Sequence, residues 1–138
     1  QAGVTIEIRR PRAIRPWQHV LEPLAGYLTL AEKLYNKPNL ADSYNFGPQS
    51  NEASTVREVV ELARQAYGSG KIQFGDGSEG PYEASYLALD TSKARVDLGF
   101  SSKWKLAETV ARTMEWYRAE HTGEDVRELC LGEINDYE

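Results

Sequence analysis

Four arginines and a Trp-Gln-His run fall in Arg9-Arg10-Pro11-Arg12-Ala13-Ile14-Arg15-Pro16-Trp17-Gln18-His19, a combination of types suited to gripping an anion. The guanidinium is a planar, permanently charged fork that meets two phosphate oxygens at once. On an extended segment the two-residue period puts Trp17 on the same face as Arg15, so an aromatic surface stands beside the charge. A diphosphate carrying a stackable base suits that pair. The whole chain has a formal net charge of -5, from 16 basic and 21 acidic residues, so the cluster is no by-product of a basic protein. The same balance argues against a nucleic-acid partner. Arg15, Trp17, Gln18 and His19 are the candidate binders, while Arg9, Arg10 and Arg12 read as a solvated turn. The plainer alternative makes Trp17 core and His19 a hydrogen-bonded buried residue.

Two other motifs imitate catalytic or cofactor chemistry and fail on context. Gly75-Asp76-Gly77-Ser78-Glu79-Gly80 has the spacing of a dinucleotide fingerprint, but that device needs its last glycine to open a helix whose amides meet the pyrophosphate. Here Pro81-Tyr82-Glu83-Ala84-Ser85 and a strand follow. Tyr67 and Lys71 have a Tyr-x-x-x-Lys spacing, yet Gly68-Ser69-Gly70 between them stops the helix that would put both on one face. His19, His121 and the single cysteine, Cys130, are too scattered for a metal site, and no Gly-x-Ser-x-Gly elbow is present. No catalytic, cofactor-binding or metal-binding residue is therefore expected within these 138 residues.

The elements that must position Arg15 follow from periodicity and punctuation. Residues 4–8 and 13–20 read as two strands of a β-ribbon around the basic turn. A helix is expected over 22–36, with Pro23 in its first turn and Leu24, Tyr27, Leu28, Ala31 and Leu34 at helical spacing. Asp42 to Pro48 reads as a brief strand, and Thr55-Val56-Arg57-Glu58 has the spacing of a capping box opening a helix over 55–67. Lys71 to Phe74 and Tyr86 to Leu89 read as short strands. Asp90 reads as the N-cap of a helix over 91–98 closed by Gly99, and a long helix is expected over 105–121. The tail is mostly charged and reads as a last short helix.

With 41% hydrophobic and 27% charged residues the composition is that of one globular domain, 1–138. It lacks an apolar run of the roughly 18 residues a membrane span needs, which points to no membrane partner. One cysteine allows no internal disulfide and fits a cytoplasmic location. Helices alternate with short strands, so the class is α/β, a mixed α+β arrangement with too few strands for a complete doubly wound sheet. The abrupt strand at Val4-Thr5-Ile6-Glu7-Ile8 reads as a fragment's edge.

Several runs resemble a known family in their order: Arg15-Pro16-Trp17-Gln18-His19-Val20, Tyr44-Asn45-Phe46-Gly47-Pro48, Glu83-Ala84-Ser85-Tyr86-Leu87-Ala88-Leu89-Asp90-Thr91-Ser92-Lys93-Ala94, Leu98-Gly99-Phe100 and Thr113-Met114-Glu115-Trp116-Tyr117. Together they are similar to the C-terminal part of the CDP-glucose 4,6-dehydratases, extended short-chain dehydrogenase/reductases. The resemblance covers nearly the whole chain. It implies a C-terminal nucleotide-sugar-binding lobe whose Rossmann core is largely missing, with NAD bound in the parent enzyme by that N-terminal Rossmann domain and none by this chain. It implies a CDP-sugar as ligand, Arg15 on the diphosphate and Glu83 on the nucleotide ribose, with Tyr82 or Trp17 offering an apolar face. Relatives acting on dTDP- or UDP-sugars carry Arg-Asp-Trp or Arg-Asp-Tyr, so Pro16 favours the CDP branch. Many relatives place a second diphosphate arginine where this chain has Gly80. The parent reaction so implied is a lyase step, oxidation at C4, loss of water across C5 and C6 and return of hydride, in which the isolated chain is inactive. Rival readings are the lobe of a dTDP- or UDP-sugar epimerase or dehydratase, and a non-enzymatic nucleotide-binding or interaction module. A lobe freed of its partner domain is also expected to expose apolar surface and to self-associate.

Overall fold

The computed structural model describes residues 4–78, 80–81 and 83–138. Four short strands and five helices are named in chain order: β1 Ile6–Ile8, β2 Ile14–Arg15, α1 Leu21–Asn36, β3 Ser54–Thr55, α2 Val56–Tyr67, β4 Ile72–Phe74, α3 Ser92–Leu98, α4 Leu106–His121 and α5 Val126–Tyr137. α2 and α4 form the most extensive helix pair.

The strands do not form the expected ribbon over 4–20. β1 pairs in parallel with β4, with Ile6 opposite Ile72 and Ile8 opposite Phe74, whereas β2 pairs antiparallel with β3, with Ile14 opposite Thr55 and Arg15 opposite Ser54. A single parallel bridge then joins Ile14 to Tyr86. The reason lies at the N-terminus of α2, whose first amides need acceptors. The Pro11 and Ala13 carbonyls accept from Arg57 N–H and Val56 N–H, both at 2.9 Å. The carbonyls that would have laddered with β1 are spent on that helix, and Pro16, lacking an N–H, ends β2 after two residues.

The Thr55 capping box is present as read, with Thr55 Oγ1 accepting from Glu58 N–H at 3.2 Å and Glu58 Oε2 accepting from Thr55 N–H at 2.7 Å. Donation from the Thr55 N–H and hydroxyl to Glu58 Oε2 holds the Glu58 carboxyl below its usual value. Thr55→Ala removes one half of the box and is expected to cost about 1 kcal/mol in urea unfolding; an unchanged midpoint would show that the cap carries no stability. α2 stops at Gly68, whose φ of 86° is left-handed. α3 is capped by Thr91 rather than Asp90, although Asp90 Oδ1 still accepts from Ser92 N–H at 2.9 Å.

Asp42 to Pro48 is irregular instead of a strand. Its backbone is satisfied by side chains, with Gln18 Nε2 donating to the Phe46 carbonyl at 3.1 Å and Ser102 Oγ to the Gly47 carbonyl at 3.0 Å. This segment delivers Phe46 to the core beside Ala94 and Leu98, with Leu30, Leu40, Tyr44 and Phe100 packed around them. A second apolar face stays open: Val4, Ile6, Val60, Tyr67, Met114 and Tyr117 are among the residues lining a groove of about 830 Å³ between β1, β4, α2 and α4. Among the described residues, no helix is long and apolar enough to cross a membrane.

Candidate functional site

β2 presents Arg15 to the loop after β4. Its Nη2 lies 3.5 Å from Glu83 Oε2 and its Nη1 donates to the Ile14 carbonyl at 2.8 Å, so the guanidinium is braced on its own strand while facing an acid 68 residues away. The Arg15 side chain is 24% exposed and the Glu83 side chain 44%. A pair this accessible contributes little stability, and both groups stay available to a ligand. Glu83 also lines a cleft of about 170 Å³ with Arg10, Arg12, Asp76 and Ser85.

The turn arginines are not simply solvated. Arg9 Nη2 approaches Glu83 Oε1 at 4.0 Å, and Arg10 Nη2 donates to the Pro81 carbonyl at 2.6 Å. Both fasten the basic turn to the loop carrying Glu83. Sequence reading passed over them because a charged turn is usually free, and its partners here lie about seventy residues away.

The rest of the candidate run fans out. Trp17 Nε1 donates to the Ser54 carbonyl at 3.0 Å, clipping the run to β3. Gln18 turns toward Phe46, and its Oε1 is enclosed with no hydrogen-bond partner among the described residues. His19 is buried, edge-on against Trp104 with ring centres 4.8 Å apart, and its Nε2 lies 3.8 Å from Glu133 Oε2. Burial lowers the His19 pKa below its ordinary value, against the pull of Glu133 and Glu22. The structure thus brings Arg15 and Glu83 together, and takes Trp17, Gln18 and His19 to other neighbours. Tyr82 lies outside the described residues.

His19 belongs to a second polar cluster that the sequence did not reveal. Glu22, in the first turn of α1, is fully buried. It accepts from Lys103 N–H at 3.1 Å, from Trp104 N–H at 2.8 Å and from the Tyr137 hydroxyl at 2.7 Å. Burial, reinforced by the Glu22 carboxylate, raises the Tyr137 phenol far above its usual value. The only local signal was an acid at a helix start, a common and uninformative feature.

The two failed motifs keep failing in three dimensions. Among the described residues after Gly80, Tyr86 forms a bridge and the next helix begins at Ser92, so the described residues after the last glycine open no helix toward a pyrophosphate. α2 ends at Tyr67, so Lys71 does not share a helical face with that phenol. The described residues of these two motifs do not have the helix geometry of a dinucleotide site.

No family model matches the chain. It is 43% identical over 131 residues, 94% of its length, to CDP-glucose 4,6-dehydratase of Salmonella typhimurium, covering 36% of that protein. It is 29% identical over 115 residues to UDP-glucose 4-epimerase 3 of Oryza sativa, covering 30% of it, and 26% identical over 110 residues to UDP-glucose 4-epimerase of Bacillus subtilis, covering 31%. The chain spans about a third of the length of the curated relatives it matches.

Proposed function

Because this chain is homologous, over nearly its whole length, to the C-terminal part of an extended short-chain dehydrogenase/reductase of the nucleotide-sugar epimerase/dehydratase family, we propose that it binds the nucleotide-sugar of a CDP-glucose 4,6-dehydratase. The carrying observation is the opposed pair Arg15 and Glu83, a braced fork of donors facing a half-exposed carboxylate. Arg15 takes the diphosphate oxygens and Glu83 accepts from two sugar hydroxyls, a division that follows from their donor and acceptor inventories. Trp17, Gln18 and His19 hold the segment that aims Arg15. Tyr82 adjoins Glu83 in sequence and is the candidate for the apolar face of the base or ribose.

In this reading the chain does binding and positioning. Fixing a diphosphate orients the sugar for chemistry supplied elsewhere, where geometry of that kind lowers a barrier by several kcal/mol. NAD belongs to the remainder of the parent enzyme, a nucleotide-sugar lyase. The open groove between β1, β4, α2 and α4 is a face on which further protein would rest, or through which freed copies would self-associate. Identity to UDP-glucose 4-epimerases supports UDP-sugars as the second reading.

Titration calorimetry with CDP, UDP and dTDP tests both. CDP is expected to bind most tightly, and Arg15→Met to weaken it by about tenfold to a hundredfold, the worth of a charge-assisted contact. Equal CDP affinity in the variant would overturn the proposal.

A further inference from the structure

We propose that Arg9 is the second cation of the diphosphate seat, admitted to it because residue 80 is glycine. The inference rests on the reading of Arg15 given above and adds a residue to that site. Arg9 and Arg15 flank one carboxylate from its two oxygens, Arg9 Nη2 at 4.0 Å from Oε1 and Arg15 Nη2 at 3.5 Å from Oε2. Both distances exceed the roughly 2.7–2.9 Å of a closed charge-assisted bond, so neither guanidinium is saturated by Glu83. Among the described residues, the Glu83 carboxylate is paired with both guanidinium groups, and the side chains of Arg9 and Glu83 are 55% and 44% exposed. A diphosphate supplies further negative charge and several acceptor oxygens, while Glu83 turns to hydroxyl groups.

Gly80 leaves room for this arrangement. A Cβ built on it would lie 2.6 Å from Arg9 Nη1, so any side chain there would displace the guanidinium. The φ of 79° at Gly80 also suits glycine, so a single residue choice serves both the turn and the passage of Arg9. The basic turn reaches this place from the other side of the site because its carbonyls are anchored on α2.

The test is titration of inorganic pyrophosphate, CDP and cytidine into the 138-residue chain and its Arg9→Gln, Arg127→Gln and Arg15→Gln variants, with thermal melting as a check of folding. Arg9→Gln is expected to weaken pyrophosphate and CDP by about tenfold, to flatten the salt dependence of CDP binding, and to leave cytidine unchanged. Arg127→Gln, on α5 and outside the site, should change CDP by less than about twofold. If Arg15→Gln weakens CDP and Arg9→Gln does not, the role of Arg9 is overturned and that of Arg15 stands. If Arg127→Gln costs as much as Arg9→Gln, a diffuse field replaces the seat and the inference is overturned. If wild type does not bind CDP, or Arg15→Gln leaves its affinity untouched, the reading of the site falls and this inference with it.

Discussion

Glu22→Ala is expected to lower the unfolding free energy by about 3 kcal/mol or more, out of the roughly 5–15 kcal/mol typical of a domain. The carboxylate is fully buried and receives two backbone N–H groups and the Tyr137 hydroxyl. Alanine leaves those donors in a closed space, each carrying a desolvation cost, and adds a cavity. Removing a buried charge returns part of this, which is why the figure is well below the sum of the lost bonds. Glu22→Gln should cost less, since an amide oxygen still serves some of the donors. Urea unfolding measures both, and a loss under about 1 kcal/mol for alanine would show that the cluster does not hold the fold together. Because Tyr137 stands in the last turn of α5, amide exchange should accelerate in α5 more than in α2. The same cluster contains His19, so its loss should also slacken the segment that aims Arg15.

Gly26→Val should destabilise the chain by about 3 kcal/mol, although replacing a mid-helix glycine ordinarily recovers up to about 1 kcal/mol of helix propensity. A Cβ at Gly26 would meet Phe46 Cδ1 at 2.4 Å, Cγ at 2.7 Å and Cε1 at 2.8 Å. The ring has little room to retreat. Phe100 stands edge-on to it at 5.2 Å, and Gln18 holds the Phe46 carbonyl. Gly132→Ala in α5 is the matched control, because nothing lies within 4 Å of its Cβ position, and it should leave stability unchanged or raise it. Comparing the two melting temperatures decides the matter: a valine variant as stable as wild type would mean that α1 and Phe46 are not in contact.

The parts legible in advance were those set by neighbours along the chain. Helix spans near 22–36, 55–67, 91–98 and 105–121, the capping box at Thr55 and Glu58, and the stops at Gly68 and Gly99 all depend on residues a few positions apart. Caps and helical periodicity are energies of that range, so composition and spacing suffice to read them. The same locality let the imitation fingerprint and the Tyr67 and Lys71 pair be rejected, because each needed a helix that the adjacent glycines and proline forbid. The order of the similar runs likewise stood in the sequence and pointed to the family.

Tertiary structure decided which partners those elements would find. The basic turn was visible, yet whether its carbonyls would ladder with β1 or cap α2 depended on where α2 lay, and the cap prevailed. Arg15 and Glu83 are 68 positions apart and Glu22 and Tyr137 are 115 apart. At such separations a side chain's partner is chosen by the closure of the whole chain and by the competition for buried donors and acceptors, which no local pattern encodes. For that reason His19 was recognisable as a residue of interest but not as a member of the Glu22 cluster. The sequence alone determined the helices and the kinship of this chain; its packing determined that Arg9 and Arg15 meet at one carboxylate.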